Sequence, residues 1–215
     1  MNTTKIYQQI GWGIMTLFSL GIVLTVSRYF TLNPDVYFPQ QRAGYLAHET
    51  NLIVHILGGV LALSLGPFQF LNKLRARRPL LHRWIGRFYL IAILLGSVTG
   101  FYMAFYAYAG IAASLGFASL AVFWLVSGFL AYRTIRAGDT AAHRRWMIRN
   151  FALTFAAVTL RLWMFPLMLV FSETTGYEMV AWLAWVPNLI VAEGIIQGWF
   201  RRRTRHSMAQ ARSRS

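Results

Sequence analysis

Five histidines and two ionisable residues set in apolar surroundings, Arg161 and Glu193, are the side chains of this 215-residue chain whose chemistry needs an explanation. Cysteine is absent, which excludes disulfides, thiolate catalysis, iron–sulfur clusters and Cys-based zinc sites. Imidazole is then the principal metal ligand available. His82-Arg83-Trp84 is echoed by His143-Arg144-Arg145-Trp146-Met147. Singly, each histidine reads as an interfacial residue beside anchoring Arg and Trp. As a pair at equal depth, His82 and His143 supply two axial imidazoles to one b-type haem iron, with Arg83, Arg87, Arg144 and Arg145 near the propionates. Gly86, one turn after His82, removes a side chain that would strike a macrocycle. His55 lies in the other half of the membrane, where Gly58 and Gly59 open space one turn below it. It belongs to a second haem or to a quinone site, with Met103 as a conceivable partner ligand. Gln69 orients a polar group. One ion shared by His55, His82 and His143 is excluded, because they lie on the order of 20 Å apart in a ~30 Å core and metal–nitrogen bonds are about 2 Å.

Arg161 and Glu193 are functional suspects because ionisable groups are costly in lipid. Three roles stay open for Arg161: an ion pair with Glu193, a contact to propionate or substrate, or snorkelling. Helical spacing places Arg161 on the same line as His143, 18 residues earlier.

These residues have to be positioned by membrane helices. The chain is 57% hydrophobic and 13% charged, about half the charge of a typical soluble domain. Apolar runs long enough to span the bilayer, about 20 residues each, occur at roughly 10–30, 51–71, 84–109, 111–132, 147–171 and 179–200. The first has one lysine before it, exceeds a signal-peptide core and lacks an A-x-A-like site, so it is expected to be retained. The fold class expected is all-α: a polytopic six-transmembrane-helix bundle forming one domain over 1–200, followed by a basic cytoplasmic tail at 201–215. Within 51–71, His48, His55, Gly59, Ala62, Gly66 and Gln69 fall within roughly 40° of one line, opposite Val54, Leu57, Leu61 and Phe68. In the next span His82, Gly86, Tyr89, Gly96 and Gly100 repeat the device. Small residues on an inward stripe allow close helix packing and equally leave a slot for a flat cofactor. Pro166 and Pro187 are expected to kink the last two spans.

The net charge of +15 would by itself suggest nucleic acid. Loop assignment gives a different reason. With Lys5 inside, 18 of the 21 Lys and Arg fall on one side, in the segments around 73–87, 133–149 and 201–214. That asymmetry predicts both termini in the cytoplasm and the basic tail on anionic lipid heads, with no nucleic-acid partner.

The strings His55-Ile56-Leu57-Gly58-Gly59, Gly66-Pro67-Phe68-Gln69-Phe70, His82-Arg83-Trp84-Ile85-Gly86-Arg87 and His143-Arg144-Arg145-Trp146-Met147-Ile148-Arg149 resemble a bacterial predicted-membrane-protein family, domain of unknown function 2306, over about 51–171. The resemblance implies a multi-pass protein of the bacterial inner (cytoplasmic) membrane. More loosely, the layout is similar to di-haem transmembrane cytochrome b proteins related to ascorbate-dependent ferric reductases. That likeness implies histidines on four central helices holding one haem near each face. Here the span at 111–132 has no histidine. Electron transfer from a quinol or small reductant is the function expected. The alternatives are a small-solute or proton-coupled carrier, a non-catalytic membrane scaffold or assembly factor, and an enzyme acting on lipid. No inverted repeat supports the carrier, and no Ser-His-Asp set or paired carboxylates support the enzyme.

Overall fold

The computed structural model describes residues 3–198, so the basic tail expected at 201–215 lies outside the described residues. The helices in chain order are α1 (Thr3–Ser27), α2 (Arg42–Ala47), α3 (Glu49–Gln69), α4 (Asn72–Arg77), α5 (Pro79–Ala104), α6 (Ile111–Arg136), α7 (Thr140–Thr154), α8 (Ala156–Val170), α9 (Glu173–Leu183) and α10 (Val186–Gln197). There is no strand among the described residues. Six helical stretches are long and apolar enough to cross a membrane, with α7–α8 and α9–α10 each counting as one.

Local chemistry sets the ends. Pro79 opens α5, where its missing N–H costs nothing, so this span starts five residues before the expected boundary at Trp84. Asp139 caps α7 by accepting from the Ala142 N–H (2.8 Å), and Ser172 caps α9 by accepting from the Thr175 N–H (3.1 Å). Gly138 and Gly198 take left-handed φ of 79° and 72° at helix ends.

The two expected proline kinks divide. Pro187 sits in the first turn of α10, directly after the interruption at Ala184–Trp185. The Ala184 carbonyl there accepts from Asn188 Nδ2 (3.0 Å) and from the Thr159 hydroxyl, so side chains satisfy the broken turn. Pro166, in contrast, lies inside α8 without interrupting it. The break in that span is at Phe155, where the Val158 N–H reaches the Phe155 carbonyl at 2.9 Å. One turn earlier the Thr154 hydroxyl donates to the Asn150 carbonyl (3.0 Å), a back-bond that bends helices.

The centre of the bundle is α3 against α5 and α5–α6–α7 around a polar knot. A Cβ on Gly58 would lie 2.7 Å from the Ala92 carbonyl oxygen and from Gly96, so backbone meets backbone there. The knot is fully buried: the Tyr89 hydroxyl donates to Asn150 Oδ1 (2.7 Å), Asn150 Nδ2 donates to Ser127 Oγ (2.8 Å), and Trp124 Nε1 donates to Thr154 Oγ1 (2.9 Å). Such a satisfied network fixes helix register in a medium that offers no other partner. The face formed by Leu57, Leu61 and Phe68 is exposed and meets lipid, as the helical spacing predicts. Peripheral α1 is 11% buried over its apolar stretch, against 28–33% for the other spans. It is tied to α3 where Trp12 Nε1 donates to the Pro67 carbonyl (2.9 Å).

Glu193 is paired, but not with Arg161. Arg149 on α7 holds both carboxylate oxygens, Nε to Oε1 at 2.5 Å and Nη2 to Oε2 at 3.0 Å, and its guanidinium lies 4.6 Å from the centre of the Trp146 ring. Of the three roles open to Arg161, the ion pair with Glu193 is therefore not made, and a bidentate clamp joins α7 to α10 instead. Removing either partner is expected to cost about 1–3 kcal/mol, and the exchange Arg149→Glu with Glu193→Arg to recover more than half. Thermal unfolding of the purified variants reads this out. Single variants as stable as the parent would make the clamp a bystander.

Candidate functional site

A cavity of about 730 Å³ occupies the end of the bundle opposite the arginine-rich loops. Its walls come from α1, α3, α5, α6, α7, α8 and α9, and its cap from the segment between α1 and α3. His55 and Arg161, which sequence spacing left on separate helices with separate roles, both face this one space.

His55 is held by its neighbour helix. Its Nδ1 lies 2.7 Å from the Gly96 carbonyl oxygen. A carbonyl can only accept, so Nδ1 carries the proton and Nε2 keeps its lone pair. Nε2 has no protein partner among the described residues. Gly100 makes the arrangement possible, since a Cβ there would sit 2.7 Å from the imidazole. The two glycines that looked alike in sequence differ here. Gly58 is consumed by helix packing, while Gly59 lines the cavity with nothing within 4 Å of a Cβ position. Met103 is also on the wall. His48 is not: its Nδ1 bonds the Tyr102 hydroxyl (3.0 Å) and its ring packs on Tyr106 at 3.8 Å.

Arg161 donates through Nη1 to the carbonyl of Ala157 (2.7 Å). It is in no ion pair among the described residues, where the pairs are Arg42–Asp35 and Arg149–Glu193. The residue lines the cavity, and its side chain, exposed in the bare helix bundle, folds back one turn along α8. Around it stand residues that sequence patterning did not single out, notably Tyr29 and Tyr45 from the cap. The cap is built by aromatic packing, with Tyr29 stacked on Tyr37 at 5.3 Å and Tyr45 edge-on to Tyr37 at 6.0 Å. It is fastened by Tyr37 donating to Glu49 Oε1 (2.8 Å), Gln40 to Glu173 Oε2 (3.0 Å) and Gln41 to the Tyr177 hydroxyl (3.3 Å). Burial first, and then the Glu49 carboxylate, pushes the Tyr37 hydroxyl up to about 12. Burial likewise pushes Tyr45 well above the ordinary phenol range. Both phenols therefore stay neutral donors at neutral pH.

At the arginine-rich end stand His82, near the start of α5, and His143, near the start of α7, with no hydrogen bond between them. His143 repeats the geometry of His55, with Nδ1 2.8 Å from the Ala131 carbonyl oxygen, so its Nε2 is also free. His82 Nδ1 and Gln69 Nε2 are buried without a hydrogen-bond partner. The slot expected at Gly86 is not empty. Gln69 Oε1 comes within 3.3 Å of a Cβ position there, so the Gln69 amide occupies the space. Its Nε2, lacking a partner, does not lock it in place. Among the described residues no three His, Asp or Glu converge as ligands of one metal ion.

The chain matches the family described as "Predicted membrane protein (DUF2306)" over residues 52–196. That stretch begins with α3 and ends within α10, so it takes in His55, Gln69, His82, His143 and Arg161 and leaves out α1 and the cap. No curated protein and no solved structure matches it.

Proposed function

The chain belongs to the DUF2306 family of predicted membrane proteins, and we propose that within that family it serves b-type haem-dependent electron transfer across the bilayer. The observation that carries this is the shared setting of two histidines in opposite halves of the bundle. His55 and His143 each give Nδ1–H to a backbone carbonyl of a neighbouring helix and keep Nε2 free. Metal-ligating histidines are characteristically oriented this way, which fixes the tautomer and makes the ring a better ligand.

The residues present fit the group at the cavity end. The volume is in the range of small-molecule and cofactor sites, Gly59 leaves a face open beside His55, and Met103 on α5 offers a thioether to the same cavity. At the other end are His82 and His143, and the unpartnered His82 Nδ1 and Gln69 Nε2 leave polar atoms there still to be satisfied. A haem taken there requires the Gln69 side chain to turn away from Gly86. Bound haem would supply one-electron redox chemistry. The protein's part is to hold the rings, to exclude water from the cavity through the tyrosine cap, and to surround the site with cationic side chains that raise the potential. A quinol or small reductant is the electron donor in this reading, and the bacterial inner membrane its location.

An absorption spectrum of the protein purified in mild detergent, before and after dithionite, tests it. A sharp Soret band with reduced α and β bands is expected from protein made with ample haem. Protein that carries neither haem nor iron under those conditions ends the redox reading and leaves a carrier, for which the cavity provides the binding chamber.

A further inference from the structure

We propose that the capped cavity is a binding site for an amphipathic carboxylate, with Arg161 receiving the acid group. This goes beyond the redox reading and does not depend on it.

Arg161 lies in α8 at lipid depth, where an arginine costs about 2.5–3.5 kcal/mol on the insertion scale. Nothing in the fold repays that cost. On the neighbouring span Glu193 is taken by Arg149, and Glu178 is in no ion pair among the described residues. Asp35 at the cavity rim faces Arg42 at 3.6 Å, and Glu49 accepts from Tyr37. The recorded contact of Arg161 is a single bond to the Ala157 carbonyl, so most of a five-donor fork is left for something else. The fork matches the two oxygens of a carboxylate. Arg28 adds a second cation to the wall, and Tyr29 and Tyr45 bring hydroxyls to the same side. Leu52, Ile56, Leu120, Leu153 and Met164 line the remainder. The space thus has one cationic, donor-rich end and a long apolar body, the mirror image of an amphipathic acid. A phosphate dianion fits less well, since stripping its water for a membrane-embedded chamber costs more than for a monocarboxylate.

Two sources carry this chemistry: the propionates of a haem and the carboxylate of a free long-chain acid. The test uses the full chain in nanodiscs, with labelled oleate and haemin as separate probes and methyl oleate and haemin dimethyl ester as their uncharged controls. At least one free acid is expected to bind, and its ester to compete at least about tenfold more weakly. Arg161→Gln should lose about tenfold or more in affinity, as for loss of a charge-assisted hydrogen bond, Arg161→Lys should lose less, and Arg136→Gln nothing. The acid-against-ester comparison on the unmutated protein keeps the test open should Arg161→Gln fail to fold. Oleate binding without haemin binding sinks the haem reading and supports this one. Haemin binding that needs both the free propionates and Arg161 identifies haem as the acid. The proposal is overturned if neither acid binds, if esters compete as well as acids, or if folded Arg161→Gln binds like the parent.

Discussion

Gly58→Ala is expected to break the pairing of α3 with α5, whereas Gly59→Ala, one residue on, leaves the protein folded. A methyl on Gly58 would stand 2.7 Å from the Ala92 carbonyl oxygen and from the Gly96 backbone. These are helix backbone atoms that cannot swing aside, so the two helices must separate. Overpacking of this kind costs about 1–3 kcal/mol, more than the roughly 1 kcal/mol that alanine gains over glycine in a helix. Because the His55–Gly96 bond crosses the same interface, the cavity loses its histidine along with the packing. At Gly59 a methyl meets nothing within 4 Å. There the helix-propensity gain is unopposed, and the new group projects into the cavity. The expected result is a lowered unfolding temperature for Gly58→Ala, and for Gly59→Ala an unchanged or raised one with weaker ligand binding. A Gly58→Ala protein as stable as the parent would mean that the two backbones do not meet there.

That contrast shows where sequence patterning works and where it stops. A stripe at helical spacing is enough to turn His55, Gly59, Ala62, Gly66 and Gln69 inward, and the exposed Leu57, Leu61 and Phe68 opposite them are found toward lipid. The six spans are legible for the same reason, as runs of apolar residues matched to a bilayer. Spacing along one helix says nothing about what another helix brings to meet it. Gly58 and Gly59 look equivalent until Ala92 and Gly96 are placed against the first of them. Spacing leaves an Arg161–Glu193 pair open because Arg149 counts as a loop charge by position, although it lies within α7 and meets Glu193 four residues before the end of α10.

The cavity itself was illegible for a related reason. Its cap comes from Tyr29, Tyr37 and Tyr45, in a segment whose one α-helix, the six-residue α2, is too short to show a period, and their contacts are set by stacking geometry. One signal was present and only half used. His143, Asn150, Thr154 and Arg161 are spaced by 7, 4 and 7 residues, so the line joining the first and last also carries two members of the buried polar knot, Asn150 and Thr154. That line runs from the arginine-rich end to the cavity. Among the described residues, it is the polar face of the only span that presents a histidine near one end and an arginine to the chamber.

On that face rests the second large effect. If His82 and His143 would together hold one haem iron, each Ala variant leaves a single imidazole for it, and both should lose the same low-spin spectral component. The double variant should lose no more than either single. His55→Ala should leave that component intact and remove a different one, because His55 belongs to the cavity at the far end of the bundle. Gly100→Ala should copy His55→Ala in part: a methyl there meets the imidazole at 2.7 Å and pushes the ring off the Gly96 carbonyl without changing any ligand. Arg144→Ala, beside His143, should shift the potential of the shared component without removing it, since it alters local charge and not coordination. Equal loss of all components in every histidine variant would point to unfolding. Retention of the full spectrum by His82→Ala would remove it as a ligand and leave His143 oriented by Ala131 as an interfacial residue beside Trp146.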